Sequence, residues 1–68
     1  MRTVEETVRI PNVEAIGTSA FVLICQTSDR KVIGVPIQLL AQDSEVRRAG
    51  DRGTLVIPRR MACNLELI

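Results

Sequence analysis

Apolar and polar residues alternate along most of this chain with the period of two that is typical of β-strands. Val4, Val8 and Ile10 alternate with polar neighbours, which predicts a first, half-buried strand. Pro11 is predicted to end this strand, since proline cannot donate a ladder hydrogen bond, and residues 13–16 predict a short continuation. The alternation predicts a domain built mainly from strands.

A hairpin is predicted in the middle of the chain. Residues 17–19 (Gly-Thr-Ser) are a turn signal, and residues 20–25 behind them are apolar on both faces of a strand. A strand covered on both faces lies at the centre of a barrel or beneath a partner subunit. Residues 28–30 carry turn chemistry, and residues 31–35 predict the return strand, which Pro36 ends.

The C-terminal half predicts a charged turn region, a strand and a helix. Residues 37–42 fit one helical or 3₁₀ turn, and residues 45–48 are predicted to be extended. Asp43 and Ser44 between them are predicted to be turn residues that hold Val46 in register. Gly50 and Gly53 tolerate positive φ, so the chain can reverse there into a strand over residues 54–57.

Pro58 suits the first position of a helix, where a missing N–H group costs nothing. Residues 59–67 predict about two helical turns whose core-facing side chains are Met61, Ala62 and Leu65. The sequence therefore predicts one domain over residues 1–68: a small antiparallel sheet or an SH3-like barrel, closed by a short C-terminal helix.

Composition adds a constraint on stability. The chain has 68 residues, of which 46% are hydrophobic, and Phe21 is its one aromatic residue and is predicted to be core. A chain of this size buries only about 60% of its unfolded surface, so its stability is marginal without reinforcement. We predict a homodimer as that reinforcement.

Nine basic and eight acidic residues give a net charge of +1, which is too balanced to indicate nucleic acid or a membrane surface by charge alone. Five arginines nevertheless lie close together in sequence and are either solvated surface charges or a partner-binding patch. Asp43, Glu45 and Asp51 lie among them and weaken their field. The predicted partner-binding residues are Arg47, Arg48, Arg52, Arg59 and Arg60.

Catalytic and cofactor chemistry is not indicated. The chain has no histidine or tyrosine, and Lys31 lies in a predicted turn. Cys25 and Cys63 are predicted to be reduced, small, buried hydrophobes; a disulfide and a metal role are the alternatives. We predict a non-enzyme with no cofactor and no metal. An enzyme or small-ligand binder of this size would need an oligomer to build a pocket between subunits.

Residues 8–67 resemble a family of small bacterial and phage proteins. The family pattern runs Trp-Ile-Pro, Asp-Ser-Glu-Val, Gly-Asp-x-Gly-x-Leu-Val-Ile-Pro, Trp-x-Ala and Gly-Leu. The matching positions are residues 35–36, residues 43–46, residues 50–51, Gly53, residues 55–58, Ala62 and Leu67. The two family tryptophans fall on Gly34 and Arg60, and its last glycine falls on Glu66. The resemblance implies a phage or mobile-element context and no particular chemistry.

Residues 51–61 also resemble the strand-proline-helix start of swapped-hairpin transcription factors of the AbrB type, which implies DNA binding.

We predict a noncatalytic protein-interaction module, as an inhibitor or adaptor of a protein complex. The alternative is a small barrel that binds nucleic acid through the arginines between Arg47 and Arg60. No apolar segment is long enough for a signal peptide or a membrane span, so we predict a cytoplasmic protein without membrane contact.

Overall fold

Four antiparallel strands form one open sheet in the computed structural model, which describes residues 6–68. The strands lie in the order β3-β2-β1-β4, with a 3₁₀ turn after β3 and helix α1 after β4. Their bounds are β1 (Thr7–Ser19), β2 (Val22–Gln26), β3 (Val32–Pro36), the 3₁₀ turn (Ile37–Leu39), β4 (Arg52–Pro58) and α1 (Arg59–Asn64). The predicted mainly β fold with a short C-terminal helix is confirmed. The SH3-like barrel alternative is wrong, because the sheet does not close.

Strand β1 is longer than predicted, because Pro11 does not end it. The register of β1 against β4 shifts between Ile10 and Val13, and Asn12 has a positive φ of 57°. Pro11 therefore lies in a β-bulge, where its missing N–H group removes no ladder hydrogen bond. The predicted participation of Val4 falls outside the described residues.

The first reversal of the chain comes later than predicted. Residues 17–19 belong to β1, whose register against β2 shifts between Ala15 and Gly17. The turn is made by Ala20, with a φ of 53°, and by Phe21. Phe21 is 83% exposed at this turn, so the prediction that it belongs to the core is wrong.

The hairpin of β2 and β3 is confirmed, with its turn over residues 28–30. The Thr27 amide donates to the Lys31 carbonyl at 2.9 Å, and Arg30 takes a positive φ of 69° between them. The Thr27 hydroxyl also donates to the Asp29 carboxylate, and this bond keeps the pKa of Asp29 below its usual value.

The hydrophobic core lies on one face of the sheet. Alternate residues of the strands point into it, and Leu40, Val46 and Ala62 cover it from the β3–β4 connection and the helix. Met61 and Leu65 of the C-terminal segment pack against it, as predicted. The core residues are Val13, Ala15, Leu23, Cys25, Ile33, Val35, Leu40, Val46, Leu55, Ile57 and Ala62.

The connection between β3 and β4 covers the outer edge of β4, and we call residues 41–46 the edge cap. Ala41 N–H donates to Val56 O at 3.0 Å, and Ser44 Oγ accepts from Val56 N–H at 3.2 Å. Glu45 N–H donates to Thr54 O at 3.0 Å, while its carboxylate accepts from Thr54 N–H at 2.8 Å. Every outward backbone group of Thr54 and Val56 is thereby bonded.

Ser44 is the buried polar residue of the edge cap. Its hydroxyl donates to Val46 O at 3.0 Å while accepting from Val56 N–H, so one side chain joins the cap to β4. Asp43 forms an ion pair with Arg9 of β1, with 2.6 Å between the charged atoms. The prediction that Ser44 is a turn residue holding Val46 in register is confirmed.

Gly53 leaves room for Glu45 of the edge cap. A Cβ atom added to Gly53 would lie 2.6 Å from Glu45 Oε1, and Gly53 has a φ of 152° that side-chain-bearing residues rarely adopt. Gly50 has a φ of 97° in the preceding turn. The predicted reversal at these glycines is confirmed, whereas residues 45–48, predicted to be extended, form no strand.

Helix α1 ends three residues before the predicted end. Pro58 is its N-cap, and Glu66 takes a left-handed φ of 60° after it. Leu67 N–H donates to Ala62 O at 2.8 Å, and Lys31 Nζ donates to Leu65 O at 2.6 Å. The Leu67 bond satisfies a carbonyl group of the last helical turn, and the Lys31 bond attaches the residue after the helix to the β2–β3 turn.

Replacing Ser44 by Ala is expected to destabilise the fold by about 1 to 3 kcal/mol, since the buried Val56 N–H group loses its acceptor. Denaturant unfolding followed by circular dichroism measures this. The control is Ser28→Ala at an exposed turn position, with an expected change below about 0.5 kcal/mol. Equal effects of the two substitutions would contradict the role given to Ser44.

Replacing Glu66 by Gly is expected to stabilise the fold by roughly 0.5 to 1 kcal/mol, because glycine adopts the left-handed conformation without a Cβ clash. Its exposed contact with Lys31, at 3.9 Å, contributes little to stability. The matched control is Glu66→Ala, which removes the charge but keeps Cβ. A melting temperature of Glu66→Ala equal to or above that of Glu66→Gly would refute the backbone argument.

Candidate protein-binding face

The side of the sheet opposite the core carries an apolar surface near β3. Alternation along the strands places Val22 and Ile24 of β2 on this side, with Val32 and Gly34 of β3 and Gly17 of β1 beside them. We call the surface formed by these five residues the open face. Helix α1 and the buried residues Leu40 and Val46 all belong to the opposite, core side.

Two glycines make the centre of the open face shallow. Ile24 lies directly opposite Gly17 on β1 and opposite Gly34 on β3, so no side chain flanks it in either direction. Ile24 is half-buried, and Val32 is 58% exposed. Ile16, the additional residue of the adjacent bulge, is 50% exposed. The result is an apolar surface in which the Ile24 side chain projects beside an open position at Gly17, while the Val22 side chain lies next to Gly34, with its Cγ1 atom 3.1 Å from where a Cβ atom of residue 34 would be.

A polar row borders the open face. Arg52 of β4 lies opposite Glu14 of β1, and Glu14 lies opposite Gln26 of β2, so the polar row crosses three strands and ends beside Val32 of β3. It passes beside a polar groove of about 370 Å³. The groove is lined by Asn12, Glu14, Gln26, Thr27, Ser28, Arg30 and Arg52.

The predicted partner-binding arginines do not form one patch. Arg52 and Arg59 are separated by the length of β4, which is about 23 Å at ~3.3 Å per residue. The Arg59 guanidinium lies 3.7 Å from the Glu6 carboxylate, and Arg60 follows on the exposed start of α1. Of the five, the structure places Arg52 beside the open face.

Arg47 and Arg48 belong to the structure of the connection. The Arg47 guanidinium donates to Ala41 O at 2.6 Å, so the residue that follows the edge cap is bonded to the first residue of the cap. Both backbone N–H groups donate to the Asp51 carboxylate at 3.1 Å. Asp51 therefore acts as a turn residue here, and the Arg47 side chain is engaged within the chain.

A second exposed apolar group lies at the end of the sheet. Phe21 and Ile37 are neighbours across the hairpin, where Ile37 N–H donates to Phe21 O at 2.8 Å, and Ile37 is 37% exposed. Sequence reasoning missed Phe21 as a surface residue. Residues 20–25 are apolar on both faces and predicted a strand covered on both. Strand β2 is central in the sheet, as this pattern indicates, but it is covered on one face, so the open face was not predicted.

The two cysteines differ in environment. Cys25 is buried in the core, which raises the pKa of its thiol to about 11, so the thiol stays protonated at neutral pH. Cys63 is exposed on α1, so the prediction that it is a buried hydrophobe is wrong. Both thiols are free. Within residues 6–68, no three side chains of the kinds that bind metals lie close enough together to hold an ion.

Comparison with protein-family models, curated proteins and solved structures finds no match to this chain. The resemblance to the bacterial and phage family therefore stays a prediction. Within residues 6–68, no helix has the length and apolar character needed to cross a membrane.

A thiol reagent added to the native protein near pH 8 is expected to label Cys63 quickly and Cys25 slowly, because burial and the raised pKa both disfavour the Cys25 thiolate. Mass spectrometry after short labelling identifies the modified residue. Labelling in denaturant serves as the control and is expected to reach both cysteines. Rapid native labelling of Cys25 would contradict its enclosure in the core.

Proposed function

We propose that this chain is a noncatalytic protein-binding module whose open face contacts a partner protein. The observation that carries the proposal is the exposure of Val32 beside half-buried Val22 and Ile24, with no described element covering them. Contiguous apolar surface of this kind is characteristic of interaction sites.

The composition of the surface supports a protein as the partner. An apolar centre around Ile24 adjoins a polar row that includes Arg52 and Glu14, which is the arrangement of core and rim found in protein interfaces. No atom lies within 4 Å of a Cβ position at Gly17, so the surface there can accept a side chain of a partner beside Ile24. A partner with an apolar, weakly charged contact surface fits this description.

The nucleic-acid alternative has less support. Affinity for a phosphate backbone depends on several cations acting together along one surface. Arg52 and Arg59 lie at opposite ends of β4, and the Arg47 guanidinium is bonded to a carbonyl of the edge cap. The narrower predictions of an inhibitor or adaptor of phage or mobile-element type rest on the sequence resemblance.

The test places a charge on the open face without disturbing the fold. A Cβ atom at Gly17 meets no atom within 4 Å, so Gly17→Arg projects a long cation from β1 on the open face. The matched control is Thr18→Arg, one residue along the same strand at an exposed position opposite Leu23, on the other side of the sheet. Both variants carry the same added charge.

We expect a partner captured by the tagged chain in lysate of its native cell, then purified and titrated by calorimetry, to bind Gly17→Arg about tenfold more weakly or worse. Thr18→Arg is expected to bind within about twofold of the unsubstituted chain. Equal affinity of both variants would remove the open face from the site. If nuclease treatment abolishes all capture, the partner is a nucleic acid and the proposed protein partner is wrong.

A further inference from the structure

The two edge strands of the sheet differ in whether their outward backbone groups are hydrogen-bonded. All outward backbone groups of Thr54 and Val56 on β4 are bonded to the edge cap. Strand β3 at the other end has no covering segment among residues 6–68. An uncovered terminal strand presents a row of hydrogen-bonding groups that another strand can pair with.

The hydrogen bonds of the β2–β3 hairpin show which groups face outward. Thr27 N–H donates to Lys31 O, and Ile37 N–H donates to Phe21 O, so bonded pairs recur at alternate residues between these ends. Residues 33 and 35 therefore pair with β2. The N–H and C=O groups of Val32 and Gly34 point away from the sheet, whereas the C=O group of Pro36 already accepts the first hydrogen bond of the 3₁₀ turn, from Leu39 N–H.

We propose that β3 pairs with β3 of a second copy of this chain, antiparallel, about a twofold axis at Gly34. In this register Gly34 of each copy donates to and accepts from Gly34 of the other, which gives the two central bonds of the pairing. Each Val32 N–H faces the Pro36 C=O of the other copy, which would accept it as a second hydrogen bond beside the one within its 3₁₀ turn. Pro36 lacks an N–H group, so it accepts without needing to donate. The pairing joins two four-stranded sheets into one.

The charges of the strand favour a second copy as the occupant. No residue of β3 is charged, so a twofold pairing brings no like charges together along the strand. Lys31 and Arg30 at the turn would lie opposite the uncharged Ile37 and Gln38 of the other copy. Gly34 at the axis presents no side chain that could obstruct the approach of its symmetry mate.

Assembly through β3 stops at two copies. Pairing consumes the open edge of each chain, and the terminal strand left at each end of the joined sheet is β4, which carries its edge cap. A twofold contact of this kind closes on itself and forms no fibre. The open faces of the two copies then lie side by side. The proposal goes beyond the protein-binding function and does not depend on it.

Sedimentation velocity over about 10 µM to 1 mM, under reducing conditions that exclude a Cys63 disulfide, tests the proposal. The unsubstituted chain is expected to shift from monomer to dimer with concentration and to form nothing larger.

Val32→Pro removes an outward N–H group without breaking a bond to β2, and is expected to weaken the dimer at least about tenfold. Val32→Thr keeps that N–H group and is expected to dimerise within about threefold of the unsubstituted chain.

A synthetic chain methylated at the Gly34 backbone nitrogen provides a second variant that adds no side chain. It is expected to stay monomeric across the same range, with an unchanged circular dichroism spectrum. Gly17→Arg changes the open face two strands away and is expected to dimerise normally, which separates this result from the fate of the proposed function. A chain that stays monomeric at about 1 mM would overturn the proposal, as would a dimer that persists after methylation at Gly34.

Discussion

The hydroxyl of Ser44 joins the β3–β4 connection to β4, and much of the rest of the structure depends on this attachment. It donates to Val46 O and accepts from Val56 N–H, so it fixes the edge cap along the strand and places Val46 in the core. Glu45 completes the bonding of the edge over the space that Gly53 leaves. The most distinctive motifs of the chain, Asp-Ser-Glu-Val and Gly-Asp-x-Gly, are thus parts of one structural device.

This device determines which surfaces remain for partners. Because the edge cap bonds β4 along its outer side and contributes Val46 to the core face, residues 6–68 leave β3 and the open face uncovered at the other end of the sheet. It also engages the Arg47 guanidinium, which separates that residue from the arginines near α1. We propose that apolar contact around Ile24 and strand pairing at β3 use the surfaces that this arrangement leaves open.

Local sequence predicted the elements whose signals are themselves local. The run over residues 54–57 before Pro58 and the turn chemistry of residues 28–30 gave the correct strand and hairpin. The bulge at Pro11 depends on pairing with β4, which lies more than forty residues away in sequence, so the proline alone indicated an end. The exposure of Phe21 follows from a turn displaced by the bulge at Ile16. The open face depends on which side the distant Val46 covers, which no local pattern specifies.

The central claim is that the outward backbone groups of β4 are hydrogen-bonded and those of β3 are not. Amide hydrogen exchange of the dilute, monomeric chain, followed residue by residue by NMR, tests it most directly. The edge cap predicts slow exchange at Thr54 and Val56, whose N–H groups are bonded, and fast exchange at Val32 and Gly34, whose N–H groups face outward. Val35, which pairs with β2, serves as the internal standard for a protected β3 amide. Exchange at Thr54 and Val56 as fast as at Val32 and Gly34 would contradict the account.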